Sequence, residues 1–452
     1  MGNLFGTDGI RGVANVHPMT SETALKVGRA IAYLSRKEGH TPRILIGKDT
    51  RVSGYMLESA LVSGICSMGA DALQVGPMTT PGVAFLTVSM RADAGIVISA
   101  SHNPYEDNGI KIFSKDGFKL PDSREAEIEK IILAEDISTF HAEPETIGKA
   151  YRIDDARGRY IVYLKRSFPD EYSLEGMKIV LDCANGATYR IAPEVFFELG
   201  AKVIPLYHEP DGKNINRGCG SQHPDSLAYE VVKNGADVGF AFDGDGDRVI
   251  AVDEKGDVLT GDHILVLCAN AMKKQGALRN NLLVATVMSN LGMKVALKDL
   301  GIDMMETKVG DRYVLEEMLE HRAVIGGEQS GHIIFLDHHT SGDGIISALQ
   351  VLSAMKTQGR PLSELAKVMK VFPQKLINID VKRKPDLETI PEIVSVIKEV
   401  EDVLGDKGRV LVRYSGTQQM CRVMVEGPTE HETDRYAQMI AKVIAEKIGL
   451  RD

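Results

Sequence analysis

Gly95-Ile-Val-Ile-Ser-Ala-Ser-His-Asn-Pro-Tyr-Glu-Asp-Asn-Gly-Ile-Lys-Ile-Phe113 sets a polar loop between two apolar runs. The runs read as the two strands of a hairpin, because Asn-Pro and Asn-Gly enforce turns at both ends of the loop. The loop carries a hydroxyl nucleophile, Ser101. His102, Asn103 and Lys111 can place a donor, an orienter and a cation beside it. In isolation, a Ser-His pair on a turn is more often a cap than a catalyst. Here the same strand, loop and strand plan returns twice further along the chain.

The second hairpin is Phe242-Asp-Gly-Asp-Gly-Asp-Arg248 between apolar flanks at 236–242 and 249–253, and the third is Gly326-Gly-Glu-Gln-Ser-Gly-His-Ile-Ile-Phe335. Each hairpin is preceded by a buried-type strand, a helix and a second strand. The first strands are 43–49, 178–183 and 281–286, and the second strands follow glycine-hinged helix ends at 69–75, 200–205 and 301–305. Continuous apolar strands alternating with helices predict mostly parallel sheets covered on both faces, with one antiparallel strand supplied by each hairpin. The fold class expected is therefore α/β: three similar mixed α/β/α domains around a central cleft, with the three chemical loops at equivalent positions. After Lys370 the plan changes. A strand at 373–381, a helix at 387–404, strands at 409–412 and 421–426 and a helix at 430–448 describe a smaller C-terminal α+β domain. The expected boundaries are 1–150 for the domain of the Ser101 loop, 151–255 for that of the three aspartates, 256–369 for that of the Glu328 to His332 loop and 370–452 for the C-terminal domain.

The loops differ in chemistry. Asp243, Asp245 and Asp247 put three carboxylates on alternate positions, which is tolerable only if a cation or basic groups neutralise them, and so points to a hard divalent ion. The spacing superficially suggests an EF-hand, with Glu254 at the twelfth position, but Arg248 stands where the calcium loop needs glycine and the flanks read as strands. Glu328, Ser330 and His332 can hydrogen-bond sugar hydroxyls. Arg413-Tyr-Ser-Gly-Thr-Gln-Gln419 offers Arg413, Ser415, Thr417 and the amides around Gly416 as a phosphate cradle, because a tight glycine turn aims N–H groups at one point and arginine adds a charged fork. Near the start, Phe5-Gly-Thr-Asp-Gly-Ile-Arg-Gly12 supplies Arg11, a cation suited to the negative charge of a transferring phosphoryl group.

These motifs, in this order, resemble those of the α-D-phosphohexomutases over essentially the whole chain. The resemblance implies that Ser101 is a phosphoserine. It implies that the Ser101 phosphate binds Mg²⁺ together with Asp243, Asp245 and Asp247. It also implies that the Glu328 to His332 loop reads the sugar and that the Arg413 to Thr417 loop holds the phosphate that is not reacting. Arg11 and Arg248 would stabilise the transferring group, with His102, Lys111 and His332 as proton carriers. Hexose-specific members usually carry Met at the position of Gln329, whereas Glu-Gln-Ser-Gly-His resembles the phosphoglucosamine mutases. The implied reaction interconverts glucosamine 6-phosphate and glucosamine 1-phosphate through a bisphosphorylated sugar, feeding UDP-N-acetylglucosamine synthesis. The same chemistry on mannose or glucose phosphates, and a silent sugar-phosphate sensor, are the alternatives. The family form of the last loop is Arg-Pro-Ser-Gly-Thr-Glu-Pro, so Tyr414, Gln418 and Gln419 are departures that should loosen it.

Composition agrees with a small-molecule enzyme. The net charge of −10 argues against nucleic acid or anionic membrane as the main partner, since both require a broad positive field, whereas a phosphosugar needs only a local basic cluster. No apolar run reaches the span of a membrane helix and no charged start precedes a hydrophobic segment, so a cytoplasmic protein is expected. The five cysteines are dispersed without close pairs, as free thiols in a reducing compartment would be. A homodimer is compatible with this picture.

Overall fold

A computed structural model describes residues 4–6, 8–133, 141–415 and 419–450. It divides into two compact units. The first comprises residues 1–287 and 303–367, and the second comprises 288–302 and 368–452.

The first unit holds three sheets. The six strands of the first are β1 (Ile10–Val13), β2 (Arg43–Lys48), β3 (Asp71–Pro77), β4 (Ala94–Ile98), β5 (Asp107–Ser114) and β6 (Ala150–Arg152), in the order β1-β5-β4-β2-β3-β6. The second sheet is β7 (Lys178–Asp182), β8 (Lys202–Leu206), β9 (Val238–Phe242), β10 (Val249–Asp253) and β11 (Val258–Leu259), ordered β11-β10-β9-β7-β8. The third is β12 (Leu282–Thr286), β13 (Asp303–Thr307), β14 (Ile325–Gly327) and β15 (Ile333–Phe335), ordered β13-β12-β14-β15. A common motif runs through all three. Each hairpin pairs antiparallel, its first strand lies parallel to the first strand of the repeat, and that strand lies parallel to the second. The expected mixed, mostly parallel sheets are therefore present three times in one topology.

The sequence plan omitted one element per repeat. Helices Thr80–Ser89, Asp225–Asn234 and Asp311–His321 lie between the second strand and the hairpin. They are required, because returning to a parallel strand on the other side of the first strand needs a crossover connection. Helices Ser21–Leu34 and Ser53–Ser67 pack closely, and a Cβ on Gly64 would stand 2.2 Å from the Leu25 carbonyl oxygen, so only glycine allows this approach. Ile44, Ile46, Leu57, Leu61, Ile96, Ile98, Ile110 and Ile112 are among the residues that form the core beneath the first sheet.

The second unit carries β16 (Gln374–Asp380), β17 (Arg409–Tyr414) and β18 (Met420–Glu426), an antiparallel sheet in the order β16-β18-β17. Alternate residues Cys421, Val423 and Val425 pack with Ile393, Val396 and Val400 of helix Pro391–Leu404 and with Tyr436, Ile440 and Ile444 of helix Glu430–Ile448. The helix expected from Leu387 is shorter than the sequence reading. A 3₁₀ turn covers Leu387–Thr389, and Ile390 is extended at φ −109°, ψ 99°, because the ring of Pro391 disfavours helical geometry in the residue before it. All five cysteines are free thiols, and among the described residues no helix is long and apolar enough to cross a membrane.

Candidate active site

Ser101 lies on the turn from β4 to β5, and its backbone is left-handed at φ +53°, a conformation a non-glycine residue adopts only when its surroundings hold it there. It is buried, at 1% exposure. Its Oγ donates to Asp243 Oδ2 at 2.6 Å and lies 3.3 Å from His102 Nδ1, while its N–H donates to Ser99 Oγ at 2.9 Å. The Ser101 loop of the first repeat and the aspartate loop of the second thus meet at a short hydrogen bond.

Asp243, Asp245 and Asp247 follow β9 and are all buried, with one carboxylate oxygen from each lying within 4.8 Å of the others. Burial, then the charges of Asp247 and Asp245, push the Asp243 carboxyl well above its ordinary range. Burial and Asp247 act in the same direction on Asp245, yet the Lys111 ammonium and the hydrogen bond from Thr80 leave it below the ordinary value. Asp247 is likewise burdened by burial and drawn far down by Lys111 and His332. Lys111 Nζ donates to Asp245 Oδ2 at 2.9 Å and stands 3.5 Å from Asp247 and from Asp8. Burial acts to lower the pKa of this lysine, but its three carboxylate partners Asp245, Asp8 and Asp247 raise it above the ordinary value. Even so, Asp245 Oδ1 and Asp247 Oδ1 are buried with no hydrogen-bond partner among the described residues. Orphaned anionic oxygens on two of three clustered carboxylates suit a hard divalent cation.

The third repeat closes on the other two. Arg248 and His332 form an isolated antiparallel bridge, and His332 Nδ1 lies 3.6 Å from Asp247 while Nε2 lies 3.6 Å from Asp311. Burial would lower the His332 pKa, but Asp247 and Asp311 carry it above the ordinary value, while its Nε2 accepts from the Gly342 N–H at 3.3 Å. His102 is the opposite case. Burial and the cations Arg248 and Arg11 push it down to about 4, which leaves a neutral ring whose Nδ1 accepts from Arg248 Nη1 at 3.0 Å. Arg11, on β1, pairs with Asp8 and reaches the Ala100 carbonyl at 3.4 Å.

A cavity of about 640 Å³ opens here, lined among others by Asp8, Asp247, Arg248, Asp311, Glu328 and His332. Glu328 Oε1 accepts from the Gly310 N–H at 3.1 Å. Gln329 Oε1 and Ser330 Oγ are buried atoms with no hydrogen-bond partner among the described residues.

In the second unit, Arg413 stands on β17 directly opposite Arg422 on β18. Burial and Arg422 together lower the Arg413 pKa, as expected of two like charges whose neutralising anion would come from outside the pair. Ser415 is buried, with its N–H on the Met420 carbonyl at 2.9 Å and its carbonyl accepting from Lys384 at 2.5 Å. Gly416 and Thr417 lie outside the described residues.

Several participants were not anticipated from the sequence. Thr80 donates from its hydroxyl to Asp245 Oδ2 at 2.6 Å and from its N–H to the Asp245 carbonyl at 2.9 Å, seating the aspartate loop on the start of a helix of the first repeat. Lys119 bridges Asp8 and Asp311. Arg51 and Asn216 both donate to the Ser101 carbonyl. The available signal was positional: Asp8 and Asp311 each adjoin a glycine, and Arg51 follows Asp49 by two residues.

Comparison with known proteins matches the four successive domain models of the phosphoglucomutase/phosphomannomutase family: α/β/α domain I at 2–138, domain II at 159–256, domain III at 260–372 and the C-terminal domain at 376–443. A phosphoglucosamine mutase of Syntrophus aciditrophicus is 66% identical over 449 residues, covering 99% of this chain and 100% of the relative. The fold is also that of a phosphoglucomutase/phosphomannomutase family protein from Burkholderia thailandensis (TM-score 0.81, 22% identity, 99% of each chain). It is shared as well by the Aspergillus fumigatus N-acetylphosphoglucosamine mutase solved with GlcNAc-6P and magnesium (TM-score 0.67, 17% identity, 98% of this chain and 95% of that one).

Proposed function

The chain belongs to the phosphoglucomutase/phosphomannomutase family, in its phosphoglucosamine mutase branch, and from that premise we propose that it interconverts glucosamine 6-phosphate and glucosamine 1-phosphate through a phosphorylated Ser101. The observation that carries the chemistry is the 2.6 Å hydrogen bond between Ser101 Oγ and Asp243 in a buried three-carboxylate cluster. A hydroxyl held there is next to the site where a cation can neutralise a phosphate.

In the forward half-reaction the free hydroxyl of the sugar phosphate attacks phosphorus on Ser101. The P–Oγ bond breaks as the new P–O bond forms, giving a bisphosphorylated sugar. The intermediate then turns over, and Ser101 recovers the other phosphoryl group. The aspartate cluster fits Mg²⁺, which Asp243, Asp245, Asp247 and the phosphate on Ser101 would hold and which would supply positive charge beside the serine oxygen. Arg11 and Arg248 face the equatorial oxygens of the moving group, where preorganised cations stabilise developing charge. His102, 3.3 Å from Oγ, already accepts from Arg248 at the same Nδ1 and is a weak base, so the serine proton is directed instead to Asp243 Oδ2 at 2.6 Å. His332 takes the proton of the attacking sugar hydroxyl and returns it to the sugar oxygen when that oxygen leaves in the second half-reaction. Lys111, kept charged by three carboxylates, acts as a fixed cation rather than as a base. Glu328, Gln329 and Ser330 orient the amino sugar, and Arg413, Ser415, Gly416 and Thr417 hold its second phosphate. The domain limits proposed for these roles are 1–150, 151–255, 256–369 and 370–452, in a cytoplasmic enzyme.

A coupled assay over glucosamine, N-acetylglucosamine, glucose and mannose 6-phosphates tests the reading. The highest kcat/KM is expected with glucosamine 6-phosphate, and a preference for glucose or mannose would overturn the substrate assignment. Arg413→Ala is expected to raise KM for all phosphosugars alike by roughly 10- to 150-fold, the equivalent of a lost charge-assisted pair of about 1.5–3 kcal/mol. A loss confined to one sugar would move Arg413 to the sugar ring.

A further inference from the structure

Beneath the nucleophile, two side chains from different repeats converge on the same pair of carbonyl oxygens. Arg51, fully buried at 0% exposure, donates from Nη2 to the Ser101 carbonyl at 3.1 Å and to the Asn103 carbonyl at 2.5 Å. Asn216, from the loop after β8, donates from Nδ2 to the same two oxygens at 2.9 and 3.0 Å.

Both donors are themselves fixed. The Arg51 guanidinium pairs with buried Asp49, which also accepts from Ser99 Oγ at 2.5 Å; Ser99 Oγ in turn receives the Ser101 N–H. Asn216 is held by its N–H on the Ala184 carbonyl at 2.9 Å and has a left-handed backbone of its own at φ +58°. The aspartate loop is shaped around this junction. A Cβ on Gly244 would stand 2.6 Å from the Ser101 carbonyl oxygen and 2.8 Å from Asn216 Nδ2, so the glycine between Asp243 and Asp245 leaves room for this hydrogen bond.

We propose that Arg51 and Asn216 are positioning residues: together they clamp the Ser101 and Asn103 carbonyls, hold Ser101 in its left-handed conformation and so keep Oγ aimed at Asp243 and the entering sugar. The inference rests on Ser101 being the phosphoryl carrier. The clamp acts on the orientation of the reacting oxygen and touches no substrate, so its removal should lower the transfer step and spare substrate affinity. Misplacing a reacting atom by about 1 Å is enough to cost about 10²-fold in rate.

The test is a single-turnover measurement on the full-length phosphorylated enzyme, with the rate constant expressed per phosphoserine counted by mass spectrometry, so that unfolded protein does not contribute. Asn216→Ala is expected to slow transfer from Ser101 to glucosamine 6-phosphate by about 10- to 100-fold while KM stays within about twofold. Arg51→Lys keeps the buried charge, but one ammonium cannot pair with Asp49 through one nitrogen while a second donates to both carbonyls, as Nη1 and Nη2 do, so it should slow the same step. A transfer rate per phosphoserine within about twofold of the unmutated enzyme in Asn216→Ala overturns the clamp, as does a loss expressed wholly in KM. If the unmutated enzyme itself carries no phosphoserine, the phosphoserine reading fails, and that result is distinct from a clamp without effect.

Discussion

Ser101→Ala is expected to lower mutase turnover by at least about four orders of magnitude, corresponding to roughly 5 kcal/mol or more on the barrier at 1.36 kcal/mol per decade. The oxygen it removes is the atom proposed to carry phosphorus in both half-reactions, and no second hydroxyl donates to Asp243 among the described residues. The fold should survive. Serine and alanine meet the same penalty at φ +53°, so the substitution adds no backbone strain, and what it takes away is chiefly the hydrogen bond from Oγ to Asp243. Intact-mass measurement should show a phosphate adduct on the unmutated protein and none on the variant. Turnover in Ser101→Ala near that of the unmutated enzyme would remove Ser101 as the carrier.

Asp245→Asn is expected to lower activity by about 10²- to 10³-fold at fixed magnesium, with partial recovery at high metal concentration. Two effects act together. The variant removes one charge from a three-carboxylate cluster, and it deprives Lys111 of its nearest anionic partner at 2.9 Å. One amide position would then face the donors Thr80 and Lys111, which both now point at Asp245 Oδ2, with an N–H₂ group that cannot accept from them. The parallel measurement is activity of the unmutated enzyme against chelator: loss in excess EDTA and return with Mg²⁺ are expected. Full activity in excess EDTA would reduce the cluster to a buried acidic turn neutralised by Lys111, Arg248 and His332.

What the sequence disclosed and what it concealed follow from the range of the interactions involved. The hairpins of Ser101, of the three aspartates and of Glu328 are legible because apolar runs flanking Gly-, Asn- and Pro-bearing loops are local signals. Their threefold recurrence reveals the sheet class. The crossover helices Thr80–Ser89, Asp225–Asn234 and Asp311–His321 escape such a reading because the apolar second strands draw the eye directly to the hairpins, although parallel topology demands a connection there. The amphipathic pattern of helix Pro391–Leu404 continues back through Leu387, so the sequence suggests an earlier start than the fold shows, and the local effect of proline wins.

The candidate site divides in the same way. Ser101, Asp243, Asp245 and Asp247 announce themselves as dense polar motifs between apolar strands. Arg51, Thr80 and Asn216 do not, because their partners lie 50 or more residues away in the chain and each looks like an ordinary turn or cap residue. The charge states are also hidden. His102 and His332 are identical in sequence terms, yet one faces Arg248 and Arg11 and the other Asp247 and Asp311, and these neighbours drive their protonation apart.

The most direct test follows the phosphoryl group itself. Enzyme phosphorylated at Ser101 with labelled phosphate is mixed with unlabelled glucosamine 6-phosphate, quenched at times shorter than one turnover, and the label is located by peptide mapping and sugar analysis. The account predicts that label leaves Ser101 at a rate no slower than kcat and appears in a glucosamine bisphosphate before it appears in glucosamine 1-phosphate. Label that stays on Ser101 through many turnovers, or product formed without passing through the bisphosphate, would contradict it.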